Sequence, residues 1–380
     1  MRQICTAFAL ALALFFTSCT REHLAGNGVT ILSNPTDGQI VLSTFSSNYK
    51  SPGSLTVLDK YGNTLSQKAT PTAAINFQKW QVNGKTRYSY MEYDTTAVAL
   101  SQGLWPTTAV VLNENFQEIK RLRLLSFDGR TASDPTAIDG HEFIYLDDNH
   151  FITLAGFQKT VSNIPASLNP VVNCKVVAPI IQEIQDDRVV WEWDGTNYPE
   201  LYQHSLEGNA FSNGNVLHDY VHMNSVSIDP TDNNLICSLR NLNQAIKISR
   251  TDGHIIWRLG GTNSNFLMAA GMKFLRQHSA TLTDNNNALL LVDNGEATER
   301  PYSRIVEFQL NQAEKTINSF KEFTVPQNIF IQYMGSVQKK GDTYFIGCGS
   351  AAKILEVNYV TNKINFLMNL PNNSYRSLKD

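Results

Sequence analysis

One unit recurs along this chain and restricts its fold more than any other feature. It consists of a polar residue, a short apolar strand, an Asp/Asn-rich turn and a second strand. The unit begins at His141 (HEFIYLDDNHFI), at Asn224 (NSVSIDPTDNNLICSL), at His278 (HSATLTDNNNALLLVD) and at Gly335 (GSVQKKGDTYFIGCG). The spacings 278 − 224 = 54 and 335 − 278 = 57 suit one long blade of a β-propeller. The spacing 224 − 141 = 83 holds one insertion, residues 198–215, whose middle suits a short helix before a Gly/Asn-rich exit. Carried back over residues 29–140, the period leaves room for about two more units. The expected architecture is therefore all-β, a six-bladed β-propeller formed as a single domain by residues 29–380.

Residues 218–261 show the unit in full. Four strand-like runs, 226–229, 235–239, 245–249 and 255–259, are separated by an Asp229-Pro230-Thr231-Asp232 turn and an Asp252-Gly253 turn. Outer strands are expected at 189–193, 316–320 and 364–367 as well, with Trp191, Trp193 and Trp257 packing between blades. Long stretches of helical period are nearly absent, in agreement with an all-β chain.

With 31 Lys+Arg against 34 Asp+Glu, the net charge of −3 gives no electrostatic footprint for a nucleic-acid partner. Residues 1–18 read as a signal peptide: Arg2, an apolar run over 7–16, then Phe16-Thr17-Ser18-Cys19, which resembles a bacterial lipobox. The run is too short to span a bilayer in the mature protein. Cys19 is the expected lipidation site, followed by a tether over 19–28. The lipid is then the only membrane attachment, and the periplasmic side of the outer membrane, or the periplasm, is the expected location. The remaining Cys174, Cys237 and Cys348 are odd in number and sit in strand-like runs, so buried thiols are expected.

Propeller geometry brings the starts of inner strands to one mouth of a central channel. His141, His222 with Asn224, and His278 then face one another although far apart in sequence, and Arg240 ends the neighbouring strand. The other histidines, His150, His204, His218 and His254, read as surface or turn residues, with His218 close enough to support the site. A neutral imidazole serves as nucleophile or general acid/base near pH 7, and a guanidinium holds two oxygens of a tetrahedral oxyanion. Zinc is the competing use of three histidines. It ranks second, because the adjacent arginine repels a cation and no carboxylate stands at ligand spacing. No metal and no cofactor are expected.

The combination Asp219-Tyr220-Val221-His222-Met223-Asn224-Ser225, Ser238-Leu239-Arg240, Lys247-Ile248 and Gly253-His254-Ile255-Ile256-Trp257-Arg258-Leu259-Gly260 resembles the bacterial arylsulfate sulfotransferases. Gly140-His141-Glu142-Phe143, Gln277-His278 and Asp293-Asn294-Gly295 extend the resemblance over roughly residues 139–310. It implies a six-bladed propeller that moves a sulfuryl group from a phenolic sulfate ester to a phenol acceptor, without a nucleotide sulfate donor, by a ping-pong route through a sulfohistidine. On this resemblance His278 is the nucleophile, while His141, His222 and Arg240 bind and polarise the sulfuryl oxygens. One histidine acts as acid/base, and Asn224 and Asn294 bind substrate or orient a neighbour. Tyr333 and Ser336, near the head of the last inner strand, are further candidates. Two other readings stay open: a non-catalytic lipid-anchored propeller serving as a binding or scaffold protein, and a hydrolase in which water accepts the group.

Overall fold

The computed structural model describes residues 23–25, 28–97, 99–101, 103–129, 138–283 and 288–380. Residues 1–18 and Cys19 lie outside these, as does the turn after the inner strand that starts at His278. Antiparallel strands dominate throughout, grouped into small sheets in a propeller-like arrangement. The inner strands Ala74–Val82, Ile138–Asp147, Met223–Ile228, His278–Leu282, Ser336–Lys340 and Ser377–Lys379 follow one another in space, each touching the next. The ring closes where the C-terminal strand Ser377–Lys379 pairs with Ile40–Thr44 through Ser377↔Leu42, Leu378↔Val41 and Lys379↔Ile40.

The spacing predicts six separate blades, and here the structure corrects it. Among the described residues, four sheets have the form of a discrete blade. Three of them are four-stranded: residues 223–260, residues 278–324, and the closing sheet that joins 377–379 to 40–69. The fourth, built on 336–369, is widened to six strands by Val29–Ile31 and His23–Ala25, so part of the expected tether is a strand at a sheet edge. The remaining arc, residues 74–194, is one eight-stranded sheet. Ile138 pairs with Thr107 and Asp139 with Pro106, which hydrogen-bonds two consecutive four-strand meanders into one.

Adjacent sheets bury their facing sides together. Ile236, Ala245, Trp257 and Leu259 pack against Leu289, Leu291, Val306 and Phe308 from the following sheet. Trp193 and Trp257 are fully buried between sheets, as the outer-strand reading requires. Cys174, Cys237 and Cys348 are free and buried, and burial raises their thiol pKa values, which keeps them inert. The insertion carries the helix Pro199–Gln203, with Pro199 at its start, where a missing N–H costs nothing. Among the described residues no helix is long and apolar enough to cross a membrane.

Candidate active site

The inner strands lose their regular pairing where the site residues sit. Register shifts fall between Ile138 and Phe143, between Met223 and Ser225, and between His278 and Thr281. A bulge inserts a residue and re-aims the side chains around it. Thus Gly140-His141-Glu142, Asn224 and Ser279 each lie inside an irregularity, and Ser279 takes φ +57° to make it. His222 also has a left-handed φ of +49°, a conformation uncommon for a residue with a Cβ. Two bonds hold it there: its N–H donates to Asp219 Oδ1 (3.2 Å), and its carbonyl accepts from Arg240 N–H (3.1 Å).

The three expected histidines converge. The His141 and His222 rings lie 5.2 Å apart, centroid to centroid, in an edge-to-face arrangement. His278 stands beside them: its strand packs against Met223–Ile228, and the Asn224 amide donates to the Gln277 carbonyl just ahead of it (2.8 Å). All three are buried, at 1%, 9% and 3% exposure respectively. Trp105 and Tyr375 wall His141, with ring centroids 5.1 and 5.4 Å away, and the Tyr375 hydroxyl donates to Asn224 O (2.8 Å).

Each imidazole is held at Nδ1, and each by a different group. Asp139 takes His141 Nδ1 at 2.8 and 2.9 Å through its two oxygens. Asp219 Oδ2 takes His222 Nδ1 at 2.7 Å and also accepts from the Ser101 hydroxyl at 2.7 Å. Asn294 Oδ1 lies 2.8 Å from His278 Nδ1. The Asn294 amide cannot turn over, because its Nδ2 donates to both Ile331 O (2.8 Å) and Met334 O (2.9 Å). Its oxygen therefore faces the ring, and an oxygen there requires a proton on Nδ1. The His278 Nε2 is left with its lone pair.

Electrostatics separate the three. Burial pushes the His278 pKa well below the usual histidine value; the Asn294 bond pulls it up in part, and the charge of His141, Arg240 and His222 pushes it down again. Burial also lowers His141 well below its ordinary value, and raises its partner Asp139. Asp219 behaves otherwise. Burial would raise it, but the charge and hydrogen bond of His222 and the Ser101 hydroxyl outweigh that and hold it below the carboxylate range. The His141 site is thus suited to a neutral ring, whereas the His222 site keeps an anion at hand to stabilise an imidazolium.

Arg240 begins a short 3₁₀ turn at the end of the strand Leu235–Leu239. Its Nη1 bonds Glu207 Oε2 (3.0 Å), on the inserted loop, rather than a carboxylate on another blade. Arg276, which the sequence reading missed, shares Glu207 through Nε (2.7 Å) and stands two residues before His278. Asn224 Nδ2 donates to Gln277 O (2.8 Å), the carbonyl preceding His278, while its Oδ1 is buried without a partner.

Other expectations fare differently. His218 is buried rather than at the surface, with Nε2 3.1 Å from Asn213 O and its ring against Phe211. His204 and His254 are exposed or nearly so, and His150 pairs with Glu183. The Ser336 hydroxyl is spent on Ser377 O (2.8 Å), and Tyr333 is exposed. Carboxylates do stand beside two of the histidines, contrary to expectation, yet among the described residues no group of three or more His, Cys, Asp or Glu is placed to hold a metal ion.

A stability test follows from the neutral, buried His278. The unfolded histidine titrates near its ordinary value, while the native one resists protonation. This stabilisation is therefore complete above about pH 6.5 and declines as pH falls towards the native value, by up to about 1.4 kcal/mol per pH unit. Urea unfolding between about pH 7 and pH 5 should give a flatter pH dependence for His278→Gln, whose amide can still donate to Asn294. Equal slopes for the two proteins would mean that His278 is not held neutral.

The sequence pattern of the Arylsulfotransferase (ASST) family matches residues 82–377. The comparison with curated proteins found no match. Among solved structures the chain is similar to a Bacteroides caccae protein of unknown function, 10% identical, with a TM-score of 0.47 and coverage of 90% of this chain and 99% of that one. It is also similar to a chain of the nidogen/laminin complex (11%, TM-score 0.45, 90% and 97% covered) and to virginiamycin B lyase from Staphylococcus aureus (11%, TM-score 0.40, 90% and 88% covered). With three imidazoles meeting beside Arg240 and a family match over most of its length, this chain belongs to the arylsulfotransferase family.

Proposed function

We propose that the protein moves a sulfuryl group from a phenolic sulfate ester to a phenol by a ping-pong route through His278. In the first half, the Nε2 lone pair attacks sulfur and the S–O bond to the donor breaks. Its electron pair leaves on the phenolate oxygen, which takes a proton from His222. In the second half, the acceptor phenol returns a proton to His222 as its oxygen attacks sulfur, and the N–S pair falls back to Nε2. Arg240 donates to the non-bridging oxygens while charge shifts, and neutral His141 does so through a proton on Nε2, its Nδ1 accepting from the protonated Asp139. Asn224 sets the carbonyl ahead of His278, and Asn294 sets its tautomer. No cofactor enters either half.

Asn294 carries this assignment: an amide locked by two carbonyls leaves His278 only one nitrogen to react with, and that nitrogen is unprotonated. We further infer export directed by residues 1–18 and lipid attachment at Cys19, which places the site on the periplasmic side of the outer membrane. The reaction is tested with p-nitrophenyl sulfate as donor. Nitrophenol release should depend on added phenol, and double-reciprocal plots at several phenol concentrations should be parallel. Lines that intersect would rule out the covalent route, and release indifferent to phenol would make the protein a hydrolase.

A further inference from the structure

The histidines stand over a cavity. Below them a channel space of about 390 Å³ is lined by Glu142, Ser225, Ser227, Ser279, Thr281 and Arg376, among others. Apolar side chains such as Ile144, Val226 and Leu290 share the lining with these polar groups, and a space of this size holds on the order of ten waters. The partition between it and the site is thin. One step along each inner strand crosses it: His141 faces the site and Glu142 the cavity, Asn224 is followed by Ser225, and His278 by Ser279.

Glu142 and Arg376 occupy that partition. Arg376 Nη1 and Nη2 meet Glu142 Oε1 and Oε2 at 2.8 and 2.7 Å, a two-pronged pair with both side chains buried. The carboxylate also accepts from Asn76 Nδ2 (3.4 Å), Gln78 Nε2 (3.3 Å) and Val226 N–H (3.3 Å). Three inner strands and the closing C-terminal segment are thus tied together beside the cavity. Tyr375, next to Arg376, lies against His141 on the upper side, and the Arg376 charge reaches His141. A buried ion pair is a poor means of gaining stability, because desolvation of both charges offsets their attraction. A pair kept at this position calls for another reason.

We propose that the Glu142–Arg376 pair is a floor that keeps channel water off the sulfated histidine, so that a phenol rather than water receives the group. This rests on the sulfohistidine reading above. If the floor opens, a water oxygen attacks sulfur, one water proton passes to His222 as the phenol's would, and the N–S bond breaks with its electron pair returning to Nε2. Hydrogensulfate is the product, and donor is consumed without acceptor. Glu142 and Arg376 touch neither donor nor acceptor; they are positioning residues that act on the partition of the intermediate.

The test measures nitrophenol release from p-nitrophenyl sulfate with and without phenol, in wild type and in Arg376→Ala. The variant should raise the acceptor-independent share of turnover about tenfold or more, a change of about 1.4 kcal/mol in relative barriers. The pre-steady-state burst, which reports the first half-reaction, should change far less. Millimolar guanidinium, entering through the lower cavity, should restore the wild-type partition. Should Arg376→Ala fail to fold, Glu142→Gln/Arg376→Met removes both charges without orphaning either, and the same rise is expected. An unchanged partition in a folded variant, or a rise that guanidinium leaves untouched, overturns the floor. Absence of phenol-dependent turnover in wild type would instead overturn the sulfotransfer reading itself.

Discussion

His278→Ala should lose transfer almost entirely, with kcat falling on the order of 10⁴-fold or more, as expected when a covalent nucleophile is removed. Phenol and p-nitrophenyl sulfate still find Arg240, His141 and His222 in the variant, so donor binding should survive with a far smaller change. Sulfate transferred from a labelled donor should appear on His278 of the wild type and be stable to gel filtration in base, and no label should appear in the variant. Asn294→Leu is the companion. It leaves the imidazole in place but removes the acceptor that fixes the proton on Nδ1, and it takes a donor from Ile331 O and Met334 O as well. A partial loss of kcat in this variant, with label still on His278, would separate tautomer control from nucleophilicity. Label retained in His278→Ala would move the nucleophile to His141 or His222.

The convergence of His141, His222 and His278 was readable in the chain because His141 and His278 head units of a repeat and His222 stands two residues ahead of another, and a closed ring of sheets turns a repeat into a shared mouth. Asn294 was readable for the same reason, sixteen residues on at the end of the next strand. What aims these side chains was not. The bulges at Asn224 and Ser279 have no residue signature, since the left-handed conformations are taken by Ser279 and by His222 just ahead of Asn224, where glycine would have announced a turn; Gly140 marks only the bulge at His141. Asp139 and Asp219 stood in plain view, two and three residues before their histidines, and Asp-Gly-His and Asp-Tyr-Val-His could have been recognised as local pairs. The Glu142–Arg376 pair could not, because 234 residues separate its members and only ring closure brings them together. Ring geometry also explains the miscounted blades. The period fixes how many meanders there are, whereas whether two of them share hydrogen bonds depends on how closely residues 106–107 approach residues 138–139.

Asp219→Asn should have the second-largest effect on the reaction, and its form matters more than its size. Asp219 holds a proton on His222 Nδ1 and, being kept ionised, stabilises the imidazolium that forms when Nε2 takes a proton from the acceptor. An asparagine can turn its amide N–H towards Nδ1, which puts the proton on Nε2, and that nitrogen then cannot act as base. Loss of a triad aspartate by the same substitution costs roughly 10⁴-fold in kcat where the tautomer is decisive, and a loss on the order of 10² to 10⁴ is expected here for phenols of ordinary acidity. The loss should shrink as the phenol becomes more acidic, because a phenolate needs no base. Donors with p-nitrophenol as leaving group should show a nearly normal burst, since that phenolate departs without a proton. Asp139→Asn provides the contrast. His141 is held neutral in a fully buried place and transfers no proton in either half, so the loss there should not depend on acceptor acidity. Equal losses across a series of phenols in Asp219→Asn would remove His222 from the proton's path and leave His141 as the base.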